Sequence, residues 1–463
     1  MLPQAGAILK IQEDKSVKTV FLQGLVASAA PMFFASIAER WKTTTVFILN
    51  DNDEAGYFYN DLKTIAMPAD GEGKVAEVLF FPSSYRRAVK YGQRDAGNEI
   101  LRTEVLTRLS ALASGADNAL PLYIVTEPSA LSELVVSKKQ LDERRLTLTV
   151  DQHIDIVEVE KTLRSFGFTE TDYVYEPGQF AVRGSIIDVY SFSNELPFRI
   201  DFFGDDIETI RNFEVETQLS TEKLTRVEIV PELTTMSEEK VPFLQFLPED
   251  AVLAFKDFLY VRDAIDNIYQ EGFTNQALTE KLEGKTELEQ RELEQAFRKE
   301  GQLVPASRWM NDALDFRRIE FGINHSSTDQ AKKKDGTRAT INFSTSPQPL
   351  FHKNFDLLSK TLRDYLLQGY KLYIFADSEK QTVRLRDIFD SLSDTNVSAK
   401  SENLSVAELS GEGQEATVGA LPFTPVNRTL HEGFVDSTLK VCFFTDHQIF
   451  DRFHKYNLKS DKA

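Results

Sequence analysis

Short apolar runs separated by amphipathic stretches fill the chain as far as Glu127, and no other feature narrows the possible folds as much. TTVFILN, EVLFFP and PLYIVTE read as strands, while PMFFASIAERW, DEAGYFYNDLKTI and NEILRTEVLTRLSALAS carry apolar residues at helical spacing. Strands and helices alternating in this way are the signature of an α/β unit with a mostly parallel sheet. Pro31 opens the first of these helices, where a missing N–H is tolerated, and Gly115 closes the third.

The pattern then changes. From Leu146 to Glu228 one helix, IDIVEVEKTLRSFGF, is followed by close-set alternating strands broken at Pro177-Gly178, Ser193-Asn194 and Gly204, which predicts a separate α+β domain. Beyond Pro231 come an apolar strand, AVLAF, the helical stretch FLYVRDAIDNIYQEGF, and GKTELEQRELEQAFRKEG, whose mixed charges suit a solvated helix. After the polar stretches SSTDQAKKKDGT and STSPQP, a final α/β pattern runs through FDLLSKTLRDYLLQGY, KLYIFA, SEKQTVRLRDIFDSL and KVCFFTDHQIF. At 463 residues the chain exceeds one ordinary core of about 100–150 residues. Four parts are expected: 1–145 and 229–345 as two portions of one lobe, 146–228 inserted between them, and 350–455 as a small α/β domain.

Composition removes several classes of function. The 53 basic and 72 acidic side chains leave a formal charge of −19, which repels phosphate backbones at long range and makes nucleic acid a poor direct partner. No apolar run reaches the roughly 18 residues of a membrane span. The start, MLPQAGAILKIQEDK, lacks the basic and apolar segments of an export signal, so a cytoplasmic protein without membrane contact is expected. The six histidines are scattered singly, and the single cysteine, Cys442, sits in the apolar run VCFF, where burial is expected; neither a metal nor a cofactor is indicated.

FLQGLVASAAPMFF stands where a strand passes into a helix, the setting of a phosphate-binding loop, which wants a glycine, four variable residues and then Gly-Lys-Ser/Thr. Gly24 fills the first position, but Ala29 replaces the second glycine, Ala30 the lysine and Pro31 the hydroxyl residue. Alanine disfavours positive φ, the cation for the β and γ phosphates is gone, and proline removes a metal ligand together with a backbone donor. A plain small-residue turn is the other reading of these residues. Asp51, Asp53 and Glu54, after FILN, fit a strand exit and a first helical turn better than a metal pair. No catalytic residue is expected.

The densest signal is YEPGQFAVRGSIIDVYSFSNELPFRIDFFGDDIETIRNFEVETQLS. In RIDFF, strand alternation puts Arg199, Asp201 and Phe203 on one face and sends Ile200 and Phe202 to a core on the other. Phe203 is thereby left on a charged face beside an arginine, and Arg183 in the preceding strand can join them. Arginine with an aromatic is enriched at the energetic centres of interfaces. The pattern by itself favours a blander arrangement, a solvated face with Phe203 packed under a neighbouring helix.

The phrases PGQFAVRGSIIDVYSF, PFRIDFFGDDIETIRNF and ETQLS, with HEGFVDSTLKVCFFTDHQIFDRF near the end, resemble the transcription-repair coupling factor family. The order of ILNDNDEAGYFYNDLKTI, VLFFPSSYRRAVKYGQ and ILRTEVLTRLSALASG resembles the first half of UvrB, a repair helicase. The resemblance implies an α/β fold with a degenerate helicase-like (P-loop NTPase-like) lobe, an inserted α+β UvrA-binding domain and a small C-terminal α/β domain. It implies docking on UvrA through Arg183, Arg199 and Phe203. It further implies that RNA polymerase and DNA are engaged by parts of the full-length protein outside this stretch, which would be non-catalytic and recruit repair. An ATP-dependent helicase or nuclease fragment with an unorthodox nucleotide site is the alternative. Magnesium-ATP separates the two: calorimetric titration of the chain is expected to show no appreciable binding, and a micromolar dissociation constant abolished by a bulky residue at Gly24 would establish the alternative.

Overall fold

The computed structural model describes residues 3–66, 73–84, 96–115, 120–233, 239–271, 286, 302–323, 337–399 and 423–452. All but Thr286 of the helix expected over GKTELEQRELEQAFRKEG, most of the polar stretch SSTDQAKKKDGT and the tail after Arg452 lie outside the described residues.

Seven strands form one parallel sheet in the order Thr337–Asn342, Val17–Gln23, Arg317–Gly322, Val252–Phe255, Thr45–Ile48, Leu122–Thr126, Glu77–Phe81. Segments on either side of the chain's middle thus complete a single sheet. The strands Val252–Phe255, Thr45–Ile48, Leu122–Thr126 and Glu77–Phe81 are apolar almost throughout because both faces are covered, whereas the edge strand Thr337–Asn342 is polar and mostly exposed. Along Leu122–Thr126, Tyr123 and Val125 pack with Phe34, Phe47 and Trp41 on one side, and Leu122 and Ile124 pack with Phe81, Phe255 and Trp309 on the other. Helices Ala29–Ile37 and Asn52–Ala66 cover the first face, and Phe258–Glu271 and Ala306–Ala313 the second. The first of these helices begins at Ala29, two residues before Pro31, which still lies in the opening turn, where N–H groups have no helical acceptor.

Between the two portions of the lobe, six strands form a separate sheet ordered Ser220–Leu224, Asp206–Phe213, Phe198–Phe203, Ile186–Val189, Gln179–Arg183, Thr169–Glu170. Neighbours are antiparallel except in the last pair. The amphipathic helix Ile156–Ser165 lays Val159 and Leu163 against Phe180, Ile187, Ile200 and Ile210 on one face of that sheet. The chain enters and leaves through the antiparallel pair Leu146–Thr149 and Arg226–Ile229.

STSPQP, which its polar composition assigns to a connection, instead supplies the strand Thr345–Pro347 at the edge of a five-stranded sheet with Phe434–Asp436, Val441–Thr445, Lys371–Phe375 and Thr424–Val426. An edge strand is bonded on one side only, so proline and polar residues are tolerated there. Cys442 is buried in this sheet, as its surroundings predict, and burial pushes its thiol up to about 12. Among the described residues no helix is long and apolar enough to cross a membrane.

Two phenylalanines of the inserted sheet gauge its packing. Phe180 is fully buried, whereas Phe203 is 77% exposed. Phe180→Ala should cost the domain about 3–5 kcal/mol, and Phe203→Ala less than about 0.5 kcal/mol. Urea unfolding followed by circular dichroism checks this, and similar shifts for the two variants would contradict the packing described.

Candidate functional site

The face of the six-stranded sheet opposite its helix carries the residues singled out in RIDFF. Burial alternates along Phe198–Phe203 as the pattern requires: Ile200 and Phe202 are buried and Arg199 and Asp201 partly exposed. Phe203 projects beside Gly204 at the hairpin tip and is not covered by a helix. Tyr173, Tyr175 and Leu219 are also exposed.

The two arginines meet at a residue that sequence reasoning missed. Asp188, on the strand between theirs, is completely buried and accepts from both. Arg199 donates Nε–H to Oδ1 at 2.7 Å and Nη2–H to Oδ2 at 2.9 Å, and Arg183 donates Nη2–H to Oδ2. Arg199 also donates to the Gln218 carbonyl at 3.0 Å and lies 4.5 Å over the Phe213 ring, with its side chain only 15% exposed. Arg199, expected on a docking face, is thus also held by the domain's own hydrogen bonds. Its bonds to the Asp188 carboxylate raise its pKa further. Arg183 is more open, with 36% of its side chain exposed; it donates to the Asp172 carbonyl at 3.2 Å and lies 5.1 Å from the Tyr173 ring. The alternation argument applied to RIDFF, extended to GSIIDVY, puts Asp188 on the face opposite Ile187 and Val189, but the register that sets it between the arginines is not written in that pattern. Two guanidiniums converging on one carboxylate leave planar donors beside exposed aromatics, the residue types enriched at interface centres.

The other sequence candidate, the loop after Val17–Gln23, closes on protein. Gly24 has φ of +81°, and a Cβ there would lie 2.3 Å from the Phe343 carbonyl oxygen, so only glycine fits. Ala29, Ala30 and Pro31 are buried in the first helical turn. His431 and Glu432, from the small C-terminal domain, lie against this loop. Ser28 N–H donates to the Glu432 carbonyl at 3.3 Å, and Glu432 N–H donates to Ser28 Oγ at 2.9 Å. Asp61 accepts from Ser28 Oγ–H at 2.5 Å and from His431 N–H at 2.8 Å, while the Tyr57 and His431 rings stack 3.5 Å apart.

A cavity of about 480 Å³ remains beside the loop, and Glu54, Asp61, Asp257 and Glu432 all line it. Among the described residues that line it, Lys256 is the one lysine or arginine, and it pairs with Glu54. Asp51 accepts the N–H groups of Asp53 and Glu54 at 2.9 Å each, so the acidic cluster is a helix start, as the sequence suggests. Ser28 lies 33 residues from Asp61 and 404 from Glu432, and no local signal could have joined them.

Burial raises the Asp61 carboxyl from its ordinary 3.8 to about 7, in spite of its two donors. Because the folded state holds this proton more tightly, the associated stability is complete below about 3.8 and is lost as pH rises through about 7. Thermal unfolding of the wild type should therefore fall more between pH 5 and pH 8 than that of Asp61→Asn. Parallel pH profiles for the two proteins would show that Asp61 does not titrate in that window.

Residues 146–234 match the family model described as the UvrB interaction domain. Three similar proteins are described as transcription-repair-coupling factors. The chain is 24% identical over 244 residues to that of Bacillus subtilis, covering 52% of this chain and 20% of the relative. It is 29% identical over 209 residues to that of Escherichia coli K12, covering 45% and 17%. It is 22% identical over 410 residues to that of Staphylococcus aureus RF122, covering 78% and 33%. The matched stretch is thus no more than a third of these relatives. Residues 146–234 thus match a UvrB interaction domain, and the chain is similar, over part of its length, to bacterial transcription-repair-coupling factors.

Proposed function

We propose that this chain is the UvrA-recruiting, non-catalytic region of a transcription-repair coupling factor. The observation that supports the reading best is Phe203, exposed beside an ordered arginine pair on a domain that matches the UvrB interaction family. A large aromatic outside its domain's own core contributes little to folding, but desolvated against a partner it becomes the kind of anchor that dominates an interface. The arginines beside it offer planar donors to carboxylates.

In this reading the parallel sheet is a helicase-like lobe that has given up nucleotide chemistry. Ala29, Ala30 and Pro31 provide neither cation nor metal ligand, and the acidic cavity beside them repels phosphates. Displacement of stalled RNA polymerase, contact with DNA and ATP hydrolysis belong to other parts of the full-length factor. The present chain acts in the cytoplasm by offering UvrA a docking face at the stalled site.

Titration of UvrA against the chain tests the reading. Phe203→Ala should weaken binding by about thirtyfold, on the order of 2 kcal/mol, while thermal unfolding stays within a few degrees of the wild type. Binding unchanged in the triple substitution of Arg183, Arg199 and Phe203 would reject this surface, and no binding by the wild type would reject the recruiting role.

A further inference from the structure

We infer that Asp188 is the positioning residue of the docking face: a buried carboxylate that touches no partner yet holds both arginines, and through them the two loops that rim the face. The inference rests on the docking role proposed above and concerns how that face is organised.

The register supplies the geometry. Asp188 stands opposite Arg199 on one neighbouring strand and Ala181 on the other, two residues before Arg183. Three N–H groups from two guanidiniums converge on its carboxylate, so the buried charge is matched by hydrogen-bonded charge. Each guanidinium then reaches outward to a loop. Arg183 bonds the Asp172 carbonyl and lies against Tyr173. Arg199 bonds the carbonyl of Gln218, whose own side chain donates to Val215 at 2.7 Å and to Val174 at 3.4 Å. Segments 172–175 and 214–219 are therefore tied to each other and to Asp188. Beneath them a small apolar cluster of Val174, Ala181 and Phe213 keeps this layer closed to water.

Long arginine side chains free on a surface lose rotamer freedom when they dock, and that loss weakens binding. Here the ordering is done within the free protein by one carboxylate. Asp188→Asn keeps the shape but removes the charge, so the arginines and both rims should loosen while Ile200 and Phe202 keep the core.

The experiment is a mutant cycle read by UvrA titration of the whole chain. Asp188→Asn alone should weaken binding about tenfold. In a chain already carrying Arg183→Gln and Arg199→Gln it should cause no further loss, because nothing is left to position. No loss in the arginine-intact chain, or a further tenfold loss without the arginines, overturns the assignment. Labelling the unsubstituted chain with an arginine-specific dicarbonyl, read by mass spectrometry, covers the case in which Asp188→Asn does not fold. Arg199 should react far more slowly than Arg226, whose side chain is 58% exposed, and equal rates would overturn the assignment. A wild-type chain that ignores UvrA while Arg199 stays slow to label would refute the docking role and leave the arginine clamp in place.

Discussion

The central strands of a parallel sheet leave no face for water, and this chain meets that constraint with strands taken from both sides of an inserted domain. The strands Val252–Phe255, Arg317–Gly322 and Thr337–Asn342 lie beside Val17–Gln23 and Thr45–Ile48, although the six-stranded domain intervenes in sequence. The two apolar layers on this sheet fix where its strands end, and those ends place both the Gly24 turn and the cavity beside it. The inserted domain has its own core around Phe180 and Ile200, so its outer face is free to vary without cost to the lobe.

Two buried carboxylates show how differently one side-chain type can be used. Asp61 is surrounded by neutral donors, a serine hydroxyl and a backbone N–H, and desolvation prevails, so its carboxyl is pushed up to about 7. Asp188 is surrounded by two guanidiniums, whose charge and planar geometry match its own. The first joins the loop after Val17–Gln23 to residues 431 and 432 of the small domain. The second orders an outward face. In both, a buried carboxylate ties together segments distant in sequence.

Much of this was legible in the amino-acid sequence, for a physical reason. Apolar strands buried on both faces, amphipathic helices and the burial of Ile200 and Phe202 all follow from local periodicity. The exposure of Phe203 was half-legible: alternation put it on the polar face, but only the fold decided that no helix covers it. The edge strand Thr345–Pro347 was hidden because its pairing with Phe434–Asp436 asks little of its composition.

What tertiary structure alone decided is the company that polar side chains keep. Arginine at 183 and 199 reads from sequence as surface charge, and it is the register of three adjacent strands that turns both toward Asp188. Ser28, Asp61, His431 and Glu432 are unremarkable where they stand in sequence, and they meet because two domains pack at the end of the parallel sheet. Hydrophobic burial is written in patterns a few residues long, so the sequence by itself determined the layers. Hydrogen bonds between distant segments depend on register and docking, which only the completed fold sets.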